Sequence, residues 1–338
     1  MQQRLYYLDI LKGIAILCIM LLHYEDGVFS PQLNNVIGSF MITAFYVSTA
    51  ILYTAKDRKN NIRGLCKKRF HQLIIPYLWF SLFIIGFDII LWSAGELDTK
   101  FILKDIFYTF SLRGIGTLWF LPVLYVSEVI FVWCGNSLYK WLSVFVGCIV
   151  YSIGYELIND INVLSNLNIA EVMITSGLLT IRRIVIGVTI LEFSYLLEKK
   201  YGEVLHVNKY KSVVYGLLFV IVGILLSCYV NLPIGLDWTR TTIIFLILPY
   251  GVSLCLYYSS NSWVNHFFQF YGQNSLIVMA THYSFLLVIC SLINKYWITD
   301  GSGHIIGISS LVYFAVSVIA EVPIIYLFKQ KLKFVIGK

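Results

Sequence analysis

Ten apolar runs, each close to the roughly 20 residues that a helix needs to cross a bilayer, constrain this chain more than any other feature. They fall at about 8–25, 35–54, 73–93, 116–134, 139–157, 173–197, 211–230, 241–259, 273–294 and 306–328. Only 13% of the residues are charged and 59% are hydrophobic, whereas a soluble domain carries about 25% charged residues. The expected fold is therefore an all-α polytopic membrane protein, a single bundle of about ten transmembrane helices over residues 1–338. The loops are too short to fold alone, so no separate extracytoplasmic domain is expected. Arg182 and Arg183 make the sixth run the least regular, and 97–115 reads as a short surface helix ahead of the fourth.

Orientation follows from the Lys and Arg bias of the loops. Arg4, the stretch 56–71, Lys140, the stretch 199–211 and the cluster Lys329, Lys331, Lys333 and Lys338 hold most of the 25 basic residues. These segments alternate with acid-rich loops, which puts both termini on the cytoplasmic side. The net charge of +7 thus has a topological cause and no nucleic-acid partner is implied. The first apolar run contains charges and is followed by no small-residue cleavage site, so it is expected to remain as a span. The seven cysteines show no C-x-x-C spacing, and neither a metal site nor a disulfide framework is expected.

That first run, LDILKGIAILCIMLLHY, carries Asp9, Lys12 and His23. Ionisable groups at membrane depth are costly and usually face a pathway or a reaction site. Lys12 and His23 lie eleven residues apart, which is about three turns plus roughly 20° and an axial distance of about 16 Å. They share one face. Asp9 is three residues before Lys12, within reach of a side-chain pair. Taken singly, Lys12 reads equally well as a snorkelling flank residue; the three on one stripe favour function. Asp26, three residues beyond His23, is the local candidate to orient its imidazole.

The loop 56–71 gathers Lys56, Arg58, Lys59, Arg63, Lys67, Lys68 and Arg69. It reads either as an anchor on anionic lipid or as a cradle for a phosphorylated cytoplasmic ligand. Pro76 follows inside the third run and is expected to kink it. Trp119 and Pro122 open the fourth run as a belt aromatic and a kink. In the ninth, Gly272, Asn274 and Ser275 read as a helix start with a polar cap, and His282 follows at mid-membrane. A lone buried His is more often structural; beside His23 the two become candidates for one site. Among Asp88, Glu128, Arg182, Arg183, Glu192, Arg240 and Glu321, several are expected to form buried ion pairs between spans, and no further role is assigned to them.

Four stretches in order, LDILKG…H, KKRFHQLIIPY, LWFLPVLY and GQNSLIVMATH, resemble the integral-membrane acyltransferase family 3, especially its fucose 4-O-acetylase-like branch. The resemblance covers nearly the whole chain. Its most specific element is a basic residue, ten intervening residues and a His, here Lys12 and His23. Where many members carry a second Arg three residues after the first in the third-helix motif, this chain has Gln72 after Arg69. Lys12 stands where Arg is commoner, without the planar two-pronged phosphate grip.

The resemblance implies an O-acetyltransferase of the cell membrane that moves an acetyl group from cytoplasmic acetyl-CoA, its donor co-substrate, to a sugar hydroxyl. No permanently bound cofactor is implied. The phosphates of acetyl-CoA are then expected on Arg69, Lys67 and Lys68, with Lys12 assisting. His23 acts as general base, His282 shares that role or steadies the oxyanion, and Asp26 orients the base. Asp9, Asn274, Ser275 and Trp119 are expected to hold the framework. A saccharide transporter and a non-catalytic membrane sensor are the competing readings. The sugar and the acyl group stay open.

Overall fold

A backbone in hydrocarbon must satisfy its polar groups within its own segment, and every regular element among the described residues is helical. The computed structural model describes residues 5–56, 62–135, 139, 142, 146, 169–229, 238–259, 262–298 and 307–337. In chain order the helices are α1 (Tyr6–Tyr24), α2 (Pro31–Met41), α3 (Thr43–Lys56), α4 (Ile62–Arg69), α5 (Ile75–Ser93), α6 (Thr99–Phe110) and α7 (Phe120–Cys134). There follow α8 (Ile169–Leu205), α9 (Lys209–Tyr229), α10 (Trp238–Tyr257), α11 (Trp263–Gln273), α12 (Ser275–Thr281), α13 (Val288–Ile293) and α14 (Ile308–Gln330). Segments of π-helix at Phe70–Ile74, His282–Leu287 and Asn294–Ile298 join several of them.

Seven helices among the described residues are long and apolar enough to cross a membrane: Tyr6–Tyr24, Pro31–Ala55, Ile62–Ser93, Gly116–Cys134, Lys209–Cys228, Ser275–Trp297 and Ser309–Gln330. The expected sixth and eighth runs are also helical, as α8 and α10. The fifth, 139–157, lies almost wholly outside the described residues. Caps start several helices where the sequence provides them. Ser30 accepts from the Leu33 amide ahead of Pro31, and Ser262 accepts from the Asn265 amide.

The chain divides into two compact units. The first comprises residues 1–56, 192–232 and 240–331, and α1 is its hub, touching α2, α3, α11, α12 and α14. The side chains of Leu8, Leu11, Ile16 and Met20 are fully buried there. Gly13 and Gly272 mark the crossing of α1 and α11: a Cβ on Gly13 would collide with the Phe268 carbonyl, and one on Gly272 with the Asp9 carbonyl. Small residues let helix backbones approach where apolar burial gains little against lipid. Polar bonds between helices add to this, with Ser39 and Ser227 2.9 Å apart and Ser212 donating to the Leu254 carbonyl at 2.8 Å. The outer face of α9 is apolar, with Leu217, Leu218, Ile221 and Leu225 exposed, as a lipid-facing helix requires.

The second unit holds residues 57–191, 233–239 and 332–338. Its axis is the continuous 32-residue helix Ile62–Ser93. The π segment Phe70–Ile74 sits directly before Pro76, which occupies the first turn of α5. A widened turn there accommodates the missing proline N–H, which the expectation of a simple kink did not include. Pro122 likewise lies in the first turn of α7, where no donor is needed. The short helix expected within 97–115 is present as α6, which packs against α5. The Tyr77 hydroxyl, fully buried, donates to the Thr109 carbonyl at 2.7 Å. Between α6 and the 3-10 turn Gly116–Trp119 the backbone is irregular, with Leu112, Gly114 and Gly116 at φ 57°, 76° and 52°.

Candidate active site

His23 stands in the last turn of α1 and is exposed, whereas His282, just after α12, is fully buried. Their ring centroids are 5.4 Å apart, and the Tyr283 ring lies 4.8 Å from that of His23. The two histidines proposed from the sequence are therefore brought together. His282 begins a π-helical segment, the kind of local widening that concentrates at functional sites. Its Nδ1 is 2.6 Å from the Val278 carbonyl. A carbonyl only accepts, so Nδ1 carries the hydrogen and the neutral ring presents a lone pair on Nε2. That Nε2 is buried and has no hydrogen-bond partner in the protein.

A frame of polar groups holds the pair. Tyr24, next to His23, donates to the His282 main-chain carbonyl at 3.4 Å and accepts from the Ser317 hydroxyl at 2.6 Å. Thr281, which precedes His282, has its hydroxyl 2.7 and 2.9 Å from the carboxyl oxygens of Glu321, itself fully buried. Tyr24, Tyr283 and Thr281 were not singled out from the sequence. Aromatic and hydroxyl side chains are common in spans, and only adjacency to a functional His marks these.

Other expected residues fall elsewhere. Asp26 lies past the end of α1, exposed, and makes no side-chain bond to His23. The helix stops at Tyr24, so helical spacing no longer applies at Asp26. Glu25 accepts from the Phe29 amide at 2.8 Å and from Asn34 at 3.2 Å, pinning the turn instead. Asp9 and Lys12 form the expected pair at 3.9 Å. Asn274 does not cap α12 through its side chain; its Nδ2 donates back to the Phe270 carbonyl at 2.7 Å, closing α11. Ser275 is the first residue of α12.

In the second unit, Lys67 and Lys68 are exposed at the end of α4. Arg69 donates through Nε to Glu128 at 2.6 Å and through a terminal nitrogen to Gln72 at 3.1 Å. Glu128 is completely buried and the Arg69 side chain is 21% exposed. One expected intramembrane ion pair is thus present, on a residue also expected at the donor phosphates. Trp119 holds the Arg183 guanidinium over its ring at 4.0 Å. The side chain of Arg240 lies outside the described residues.

Compared with models of known protein families, residues 5–330 match the acyltransferase family 3 model, described as an acyltransferase domain. No curated protein and no solved structure matches the chain. A match across all but a few terminal residues, on a helical frame with several membrane-crossing helices, sets aside the transporter and sensor readings. The chain belongs to acyltransferase family 3 and is a multi-pass membrane acyltransferase.

Proposed function

We propose that this acyltransferase moves an acetyl group from cytoplasmic acetyl-CoA to a sugar hydroxyl of a surface or exported polysaccharide, or of its lipid-linked precursor. The observation that carries this reading is the His23–His282 pair, an exposed imidazole 5.4 Å from a buried one whose tautomer is fixed by the Val278 carbonyl. Imidazole is the side chain best suited to take up and return a proton near neutral pH.

In the reaction, His23 removes the proton of the acceptor hydroxyl as its oxygen attacks the thioester carbonyl. The C–S bond then breaks, and the CoA sulfur leaves with the proton that His23 took. With Nδ1 committed as a donor, His282 accepts through Nε2, which favours a shared base role over donation to an oxyanion. The exposed Lys67 and Lys68, with Arg69, supply cations for the donor phosphates. No serine or cysteine nucleophile is invoked, so the transfer is direct.

The test is release of free thiol from acetyl-CoA by purified protein in proteoliposomes, with and without added saccharide. Saccharide-dependent release, reduced roughly 10²- to 10⁴-fold by His23→Ala, is expected. Release that is unchanged in His23→Ala overturns the assignment of the base.

A further inference from the structure

Glu321 is completely buried within α14, one of the helices able to cross the membrane. No Lys, Arg or His nitrogen among the described residues lies within 4.0 Å of its carboxyl group. Tyr24 of α1 and Tyr271 of α11 face it, yet both hydroxyls donate to main-chain carbonyls, that of His282 at 3.4 Å and that of Val318 at 2.7 Å. On α14 itself Ser317, one turn earlier, donates to Tyr24. What bonds to the carboxyl is the Thr281 hydroxyl, 2.7 and 2.9 Å from its two oxygens.

Thr281 has one hydroxyl hydrogen and two claims on it. Its Oγ1 also lies 2.8 Å from the Ile277 carbonyl, the backward bond open to a helical Thr. A carbonyl only accepts, and so does an ionised carboxylate. With Glu321 ionised, one of the two short contacts would set lone pairs against each other. A hydrogen on the carboxyl satisfies both: Glu321 donates to Thr281, and Thr281 donates to Ile277. Burial points the same way, since an ionised carboxylate at this depth with no cation beside it is costly.

These bonds lead to the histidine pair. Ile277 and Val278 carry successive carbonyls, and Thr281 and His282, each four residues further on, bond back to them through their side chains at 2.8 and 2.6 Å. Directly after Thr281 the helix widens into its π segment. The Thr281 hydroxyl and the His282 ring are therefore set by one turn.

We propose that Glu321, as a neutral carboxylic acid, is a positioning residue for His282, acting through the Thr281 hydroxyl. This rests on the acyl-transfer reading, in which His282 shares the base role through Nε2. Loss of the carboxyl proton turns the Thr281 hydrogen toward Glu321, releases the Ile277 carbonyl and loosens the turn that aims the imidazole.

The experiment uses the purified full chain in proteoliposomes, with two readouts that need no substrate followed by the transfer assay. In infrared difference spectra of the natural chain against Glu321→Gln near neutral pH, the carbonyl band of a protonated carboxyl should be lost from the variant. In histidine-labelled protein, the imidazole nitrogen signals of His282, assigned with His282→Gln, should shift in Glu321→Leu. They should keep their place in Glu321→Gln, whose amide still donates to Thr281. In transfer, Glu321→Leu should lower kcat roughly 3- to 10-fold at unchanged KM for acetyl-CoA. Thr281→Val, which breaks the same link should Glu321→Leu not fold, should match that loss, and the double variant should lose no more than either. Glu321→Gln should recover most of the loss, and should lack the fall in kcat that the natural chain shows as pH rises and Glu321 gives up its proton. Absence of the protonated-carboxyl band, or equal His282 shifts in the Gln and Leu variants, overturns the proposal. If the natural chain transfers no acetyl group, the acyl-transfer reading fails, and the two spectra still decide for or against Glu321.

Discussion

The Tyr24 hydroxyl donates to the main-chain carbonyl of His282 at 3.4 Å, so the residue after one histidine fastens the backbone of the other. Tyr24 is buried while His23 beside it is exposed. A helix end thus presents one side chain to the exterior and uses the next as a brace. Tyr24→Phe keeps the ring and its packing but loses this bond and the one from Ser317. Transfer should fall about 2- to 10-fold, the size of one or two neutral hydrogen bonds. Far less than the His23→Ala loss is expected in the same kcat measurement.

The crossing of α1 and α11 has no room for side chains at Gly13 or Gly272. Gly13→Ala should destabilise the protein by about 1–3 kcal/mol through overpacking, lowering the midpoint of thermal unfolding in detergent. Gly38, on α2, has open space around its Cβ position, and Gly38→Ala should be neutral or slightly stabilising. A matched loss in both variants would show that the crossing is not as tight as described.

Arg69 and Glu128 predict an asymmetry. Arg69→Gln takes the guanidinium away from a carboxylate that has no exposure, and removal of one partner of such a pair costs about 3–5 kcal/mol. Glu128→Gln leaves Arg69, with its 21% exposure, a route to solvent and should cost less. Chemical denaturation of the two variants measures the difference, and equal losses would contradict it.

Lys67 and Lys68 are exposed on α4 and carry no structural burden of that kind. Lys67→Gln with Lys68→Gln should raise the KM for acetyl-CoA several-fold while leaving thermal stability unchanged. An unchanged KM for acetyl-CoA would remove these lysines from donor binding.

Most of the architecture was legible because spans announce themselves by length and hydropathy. The α1 stripe of Asp9, Lys12 and His23 could be read from helical spacing alone, and the structure keeps the Asp9–Lys12 pair. The meeting of His23 and His282 needed a partner from a distant segment, which spacing within one helix cannot provide. Spacing misled at Asp26, since a helix that stops at Tyr24 carries no register beyond it. The short helix α6 was legible in the sequence, but its packing against α5 was not. The Thr109 carbonyl near its end is met by the hydroxyl of Tyr77, far away in sequence. The backward cap of Asn274 shows the same limit: the residue type marks a helix end, not which helix it serves.

The most direct measurement is transfer of label from radiolabelled acetyl-CoA in inside-out membrane vesicles, comparing the natural chain with His23→Ala and Lys12→Ala. Label in a saccharide fraction that depends on His23, with a Lys12→Ala defect overcome by more acetyl-CoA, is the predicted result. Label that reaches saccharide equally well without His23 would contradict the account.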